Sequence, residues 1–312
     1  MTGLVVRLPN WVGDVCMALP TLQALSAAGF TCSLIGRAWT RDLLAAGPWP
    51  ILDAGRGIRA GRAAVQASGC RQGLLLTNSL GTALTMRLAG VAAIGHRGDW
   101  RRLLLHRHQA RDPRCHEVEA FWRLGELARA AFRPAASWPS APPERLRLPL
   151  ASEQHDLAAS RLAEAGITGP FILLCPLATG TIAGQSKIWP HWPQCCRQLA
   201  ACGLPLVTCP GPNETLQARA ACPEATVLSD CRLGTYAAIA NRARLVLAND
   251  SGPMHLATAA GAGPRTLGLF GVSDPGRTRP WGADHLGSSA GWPSPSQVLH
   301  WVDERLAAGD EH

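Results

Sequence analysis

Residues Leu245 to Pro275 read LVLANDSGPMHLATAAGAGPRTLGLFGVSDP, and the class of fold follows from this stretch. The apolar run Leu245-Val246-Leu247-Ala248 has the length and composition of a buried parallel strand, and Asn249-Asp250 predicts the turn that stops it. Ser251 suits a helix cap, Pro253 a first helical turn, and Met254 to Ala260 are good helix formers that end at Gly261. A strand therefore passes through a sharp turn into a helix. In an open α/β sheet such a turn lies at the carboxyl edge of the strands, where free helix N–H groups and the helix dipole favour an anion. A phosphate is the expected guest. Arg265 to Phe270 then supplies a second strand, and Gly271-Val272-Ser273-Asp274-Pro275 a second loop on the same edge.

The same alternation recurs upstream. Leu4 to Leu8, Thr31 to Gly36, Ile51 to Asp53, Gly73 to Thr77 and Val91 to Gly95 read as strands, with helical stretches such as Met17 to Leu25 and Leu80 to Ala89 between them. A repeat of this kind predicts a parallel sheet with helices on both faces. Residues His96 to His116, HRGDWRRLLLHRHQARDPRCH, hold six Arg, four His and two acids, and are expected to form a long basic loop or lid. A helix over Glu117 to Ala131 follows. The five prolines between Pro134 and Pro149 mark a linker, dividing the chain into domains 1–150 and 151–312.

In the second domain a helix is expected over Glu153 to Ala165, with strands at Phe171 to Cys175, Leu204 to Cys209 and Thr226 to Leu228. Pro176 to Lys187 is a Gly/Thr-rich loop, Trp189-Pro190 opens the next helix, and Tyr236 to Asn241 forms another. A last helix, Ser296 to Ala308, carries Val298, Leu299, Val302 and Leu306 on one stripe and is expected to pack back across the first domain.

A chain of 312 residues is long enough for two full cores, and 47% hydrophobic with 17% charged residues is ordinary for a globular α/β protein. No apolar run approaches the ~18 residues that span a bilayer, and the chain begins on a strand, so a cytoplasmic location is expected. The 11 cysteines show no C-x-x-C pair and read as reduced core residues, with neither a disulfide framework nor a metal site expected. Charge is uneven: residues 1–150 carry 19 Arg against nine acids, whereas residues 151–312 carry 10 Arg and one Lys against 13 acids. A basic first half suits a phosphorylated or otherwise anionic partner.

Three motifs then coincide: Arg7-Leu8-Pro9-Asn10-Trp11-Val12-Gly13-Asp14, Lys187-Ile188-Trp189-Pro190, and Asn249 to Ala257. Asn78-Ser79, Gly95-His96-Arg97-Gly98 and Phe270-Gly271 with Asp274-Pro275 extend the likeness over most of the chain. In this order and spacing the chain resembles glycosyltransferase family 9, the ADP-heptose:lipopolysaccharide heptosyltransferases, and most of all their heptosyltransferase II branch. The resemblance implies a GT-B fold, two Rossmann-like domains facing across a cleft, with donor held by the second and acceptor by the first. It also implies inverting transfer of heptose from ADP-heptose to the lipopolysaccharide inner core, with no cofactor and no bound metal, at the cytoplasmic face of the inner membrane.

Roles can then be assigned to particular residues. Inverting transfer needs a carboxylate to take the acceptor's proton, and the family places its base at the position of Asp14; the plainer reading of Asp14 is a helix cap. Lys187 is the single lysine beside 29 arginines, which points to a compact ammonium on the diphosphate leaving group, against the reading of an ordinary surface lysine. Ser251 and Gly252 would hold the pyrophosphate, Asp250 would either bind a sugar or ribose hydroxyl or shape the turn, and His255 would either face the phosphates or be a buried structural histidine. Thr179 and Thr181 are further phosphate candidates, in a loop that departs from the shorter family pattern. Glu214 resembles the family's ribose-contacting carboxylate, against a plain surface reading. On the acceptor side Asn10, Trp11 and Gly13 form the loop before Asp14, and Arg97, Arg101 and Arg102 would bind acceptor phosphates or carboxylates, or mark a membrane-surface patch.

Three other readings compete. One is a family 9 transferase using another sugar or glycan, and a second is a nucleotide-sugar-binding protein without turnover. The third is a nucleic-acid binder, which the basic balance invites but which lacks the aromatic spacing or helix pattern of such proteins, so no nucleic-acid partner is expected.

Overall fold

The computed structural model describes residues 2–308 of the chain. Two compact units, Met1–Pro143 and Glu144–His312, each have their own core. In the first, strands β1 (Thr2–Arg7), β2 (Phe30–Gly36), β3 (Ile51–Asp53), β4 (Gln72–Leu75), β5 (Ala92–His96) and β6 (Arg107–Gln109) form a six-stranded sheet in the order β3-β2-β1-β4-β5-β6. Every adjacent pair is parallel. Helices α1 (Val12–Ala27), α2 (Thr40–Leu43), α3 (Gly57–Ala67), α4 (Leu80–Leu88) and α5 (Glu117–Phe132) belong to this unit. Leu4, Val5 and Val6 are wholly buried because helices cover a parallel strand on both faces, which is why it reads as an unbroken apolar run.

The second unit repeats the plan. Strand β7 (Ile172–Cys175) is followed by a small hairpin, β8 (Thr181–Ile182) and β9 (Gln185–Ser186), then by β10 (Leu206–Thr208), β11 (Thr226–Val227), β12 (Leu245–Asn249), β13 (Thr266–Leu269) and β14 (Asp284–Leu286). Its six-stranded sheet runs β11-β10-β7-β12-β13-β14, all parallel. Helices α6 (Ser152–Glu164), α7 (Trp192–Leu199), α8 (Thr215–Ala221), α9 (Leu233–Arg242), α10 (Gly252–Ala257), α11 (Pro275–Thr278) and α12 (Pro295–Ala307) complete it. Both sheets have the strand order of a dinucleotide-binding Rossmann domain, whose order reverses between β1 and β4 in the first unit and between β7 and β12 in the second. In such sheets ligands sit outside the carboxyl ends of the strands at that reversal.

Several expectations need correction. Residues 96–116 are not one long loop, because Arg107–Gln109 pairs in parallel with β5 as a sixth strand and Arg101–Leu103 forms a 3-10 turn. Asn249 does not break its strand but ends it, fully buried. The Pro176–Lys187 loop folds into the β8-β9 hairpin, turned by Ala183 and Gly184 at φ +50° and +79°. Helix α7 starts at Trp192 rather than at Trp189-Pro190. The helix after Ser251 stops at Ala257 and passes through a π-turn whose Gly261 lies at φ +98°. The apolar stripe of α12 is used within its own unit, where Val298, Trp301 and Val302 join the core of Trp189, Trp192 and Leu267. Trp301 Nε1 and Arg305 Nη2 both donate to Asp284 Oδ2, at 2.9 and 2.6 Å, tying α12 to β14. All 11 cysteines are free thiols.

Candidate active site

In the second unit the site is built around the end of β12. The Asn249 amide, with no exposure, accepts at Oδ1 from the Trp189 backbone N–H and from Trp192 Nε1, both at 3.1 Å, and donates Nδ2 to the Pro176 carbonyl at 2.6 Å. One side chain thus ties together the exit of β7, the segment after the hairpin, and α7. A buried amide satisfied on both ends fixes those three pieces against one another, and leaving its partners unpaired is costly. The next residue, Asp250, is also buried, and its Oδ2 lies 2.9 Å from Lys187 Nζ. The segment that Asn249 anchors is therefore the one that delivers the chain's single lysine to the strand end.

Ser251 then caps α10 from an extended conformation, but its hydroxyl makes no capping bond; Ser251 Oγ is buried without a hydrogen-bond partner. Gly252 is the first helical residue. The Tyr236 hydroxyl braces this turn, donating to the Pro253 carbonyl at 3.1 Å while lying 3.0 Å from Cys175 Sγ at the end of β7. His255 is buried at 4% exposure inside α10. On the neighbouring loop a Cβ on Gly271 would fall 1.9 Å from the Trp292 ring, so only glycine lets the β13 exit lie flat beneath that indole.

The remaining donor candidates lie differently. Thr179 and Thr181 are exposed, on and before the hairpin. Glu214 turns back on its own loop, accepting from the Gly211 backbone N–H at 2.8 Å just before α8.

In the first unit Trp11, not Asp14, is the residue that precedes α1, and its side chain is 67% exposed with no capping bond. Asp14 sits in the first turn of α1, where the helix dipole favours a carboxylate. Asp14 is thus a first-turn residue and not the N-cap residue itself. Asn10 is held by Arg7, whose Nη2 donates to Asn10 Oδ1 at 2.9 Å, and Gly13 is buried. Arg97 and Arg102 are exposed, whereas Arg101 is buried and donates through Nη1 to Asn78 Oδ1 at 3.0 Å. A cavity of about 210 Å³ opens on this edge, lined by Arg7, Ile35, Gly55, Gly57, Ser79 and Thr82 among others; Arg7 and Ser79 belong to the motifs quoted above, but no lining residue was given a role from the sequence. Among the described residues no group of three or more His, Cys, Asp or Glu side chains could hold a metal ion.

The profile of glycosyltransferase family 9 (heptosyltransferase) matches residues 61–299. The chain is a family 9 glycosyltransferase. Solved structures share its fold. A glycosyl transferase family 9 protein from Veillonella parvula superposes with TM-score 0.81 at 18% identity, covering 98% of this chain and 97% of that one. E. coli ADP-heptose LPS heptosyltransferase II gives 0.75 at 23% identity, over 99% of this chain and 100% of its own. E. coli heptosyltransferase WaaC, solved with ADP, gives 0.75 at 19% identity over 98% and 100%. No curated protein matches the chain at a significant level.

Asn249 and Tyr236 are the parts of this family 9 enzyme that reading the sequence missed. A polar amide closing an otherwise apolar strand, and the one tyrosine of the chain, were signals available in the sequence. Both act on backbone groups, which no spacing rule reveals.

Proposed function

We propose that the protein transfers heptose from ADP-heptose to the lipopolysaccharide inner core with inversion at the sugar carbon. The observation that carries this reading is the Lys187–Asp250 pair at 2.9 Å beside the unpartnered Ser251 hydroxyl, at the strand-order reversal of the second sheet. An ammonium has three donors, so Lys187 can hold Asp250 and a diphosphate oxygen together, orienting the carboxylate towards a donor hydroxyl. Ser251 Oγ, the N–H groups at Gly252 and the α10 dipole add to the same anion. His255, Thr179, Thr181 and Glu214 are the further donor contacts of this reading. The relatives support the choice of nucleotide: WaaC has been solved with ADP and with ADP-2-deoxy-2-fluoro heptose.

In this mechanism the acceptor hydroxyl attacks the anomeric carbon opposite the diphosphate, and Asp14 takes its proton. The carbon–oxygen bond to the diphosphate breaks, ADP leaves, and Lys187 with the α10 amides meets the charge that develops. Residues 1–150 hold the acceptor and residues 151–312 the donor. Asn10, Trp11 and Gly13 shape the acceptor loop; Arg97 and Arg102 meet anionic groups of the acceptor or of the surface that presents it, and Arg101 braces them from within. No helix among the described residues is long and apolar enough to cross a membrane, and the proposed location is peripheral, at the cytoplasmic face of the inner membrane.

Mass spectrometry of core oligosaccharide from a deletion strain tests the reading. Loss of one heptose, restored by the wild-type gene and not by Asp14→Ala, is the expected result. An unchanged core mass rejects it.

A further inference from the structure

The segment that leaves β5 combines a strained backbone with exposed apolar side chains. Three consecutive residues, Gly98, Asp99 and Trp100, lie at φ +147°, +44° and +64°. Positive φ is a disfavoured conformation for a bulky side chain and persists only where the surroundings impose it. The brace is Arg101, a cation withdrawn to 6% exposure. Its backbone N–H and its Nε both donate to the Gly98 carbonyl, at 2.8 and 3.1 Å, and its Nη1 donates to Asn78 Oδ1 at 3.0 Å. A Cβ on Gly98 would lie 2.8 Å from Arg101 Nη2, so the brace closes only over glycine. Leu105, buried at 9%, anchors the far end in the core.

This framework presents two large apolar side chains to solvent, Trp100 at 73% and Leu103 at 68% exposure, with exposed Arg97 and Arg102 beside them. Elsewhere on the carboxyl edge of the same sheet Ile58 and Leu80, 41% and 43% exposed, follow β3 and β4. Two protruding side chains are far too small for a stable protein interface, which needs about 800 Å² from each partner. They do suit a lipid headgroup boundary, where an indole and an aliphatic tip bury shallowly while arginines meet phosphates. The excess of 19 Arg over nine acids in residues 1–150 complements an anionic surface.

We propose that the Gly98–Leu104 turn is a rigid wedge that seats Trp100 and Leu103 in the headgroup region of an anionic bilayer, with Arg97 and Arg102 on lipid phosphates. It deepens the reading above by naming the surface that would hold the enzyme where a lipid-borne acceptor is presented. Its first test needs neither donor nor acceptor: co-sedimentation of the full chain with phosphatidylcholine vesicles, with and without phosphatidylglycerol. Binding is expected only to the anionic vesicles and is expected to weaken with salt. Trp100→Ser/Leu103→Ser should lower the partition coefficient on the order of tenfold or more, while Leu88→Ser, at the far end of α4, should not. Both wedge positions are exposed, so an unchanged melting temperature is expected; Leu103→Glu alone provides a second variant. Wild-type binding that is absent, or equal in the wedge variants, overturns the proposal. So does, in the wedge variants, an intact vesicle affinity joined to a lost turnover on a delipidated, soluble acceptor, which would make the turn an acceptor subsite. In the wild-type protein, failure of heptose transfer with vesicle binding retained would instead reject the function and leave the wedge standing.

Discussion

The two units carry one strand order on two very different edges. At the carboxyl edge of the second sheet, polar groups are few, buried and mutually fixed: Asn249 serves three partners, Asp250 serves Lys187, and Tyr236 braces the turn at Pro253. At that edge of the first sheet, arginines and large apolar side chains stand in solvent, and a strained turn holds some of them there. The same Rossmann plan thus carries a buried, mutually bonded polar cluster at the edge of one sheet and an open cationic face at the edge of the other. A nucleotide diphosphate asks for preorganised dipoles. An acceptor attached to a large anionic surface asks for reach and charge.

The contrast can be broken most sharply at Asp14, the proposed base. Asp14→Ala should lower kcat by roughly 10³-fold, in the range of general-base catalysis, while ADP affinity from calorimetry stays unchanged. A variant that loses ADP affinity instead would move Asp14 to the donor side. Next, Lys187→Ala should reduce kcat/KM on the order of 10²-fold and weaken ADP binding, and Lys187→Arg should fail to restore either, because a planar fork does not replace a compact ammonium. Restoration by arginine would mean that charge alone suffices.

Asn249→Ala should cost about 2 to 3 kcal/mol of stability, since Trp189, Trp192 and Pro176 all lose a partner. Its effect on ADP affinity should largely vanish in a Lys187→Ala background, because both substitutions disable one ammonium. Additive effects in that double-mutant cycle would reduce Asn249 to a structural residue. The smallest effect under ordinary conditions belongs to the first unit. Burial, then the Arg111 cation with Arg101 adding to it and Glu117 opposing, lowers the His96 imidazole from 6.5 to about 4. Between those values the unfolded chain binds a proton that the folded protein refuses, so stability falls as pH drops from 6.5 towards 4, by up to about 3 kcal/mol. Denaturant midpoints of His96→Gln measured over that range should lose the part of the acid slope that wild type owes to this residue; an identical slope would mean that other groups carry it.

The sequence disclosed the central strands, because Leu4 to Val6 and Leu245 to Leu247 are buried on both faces and leave an unmistakable apolar run. It concealed one edge of each sheet. Arg-His-Gln in β6 and Asp-His-Leu in β14 are three-residue strands with a single neighbour, and nothing in their composition distinguishes them from loop. The site divided along similar lines. Asp14, Lys187 and Ser251 stood out because each sits at a strand-to-helix passage or is rare in the chain. Asn249 was misread, since asparagine favours turns and only the placement of Trp189, Trp192 and Pro176 around it makes a buried strand end its better place. Arg101 looked like its neighbours Arg97 and Arg102 until the brace to Gly98 and Asn78 set it apart.

One lysine in 312 residues has a practical consequence. An amine-directed acylating reagent finds, besides the α-amino group, a single side-chain target, and that target is paired with Asp250 at the end of β12. Mass-resolved labelling of Lys187 would therefore act as a one-site occupancy gauge, reporting pocket engagement by nucleotides of any kind without a fluorophore, a radioisotope or turnover.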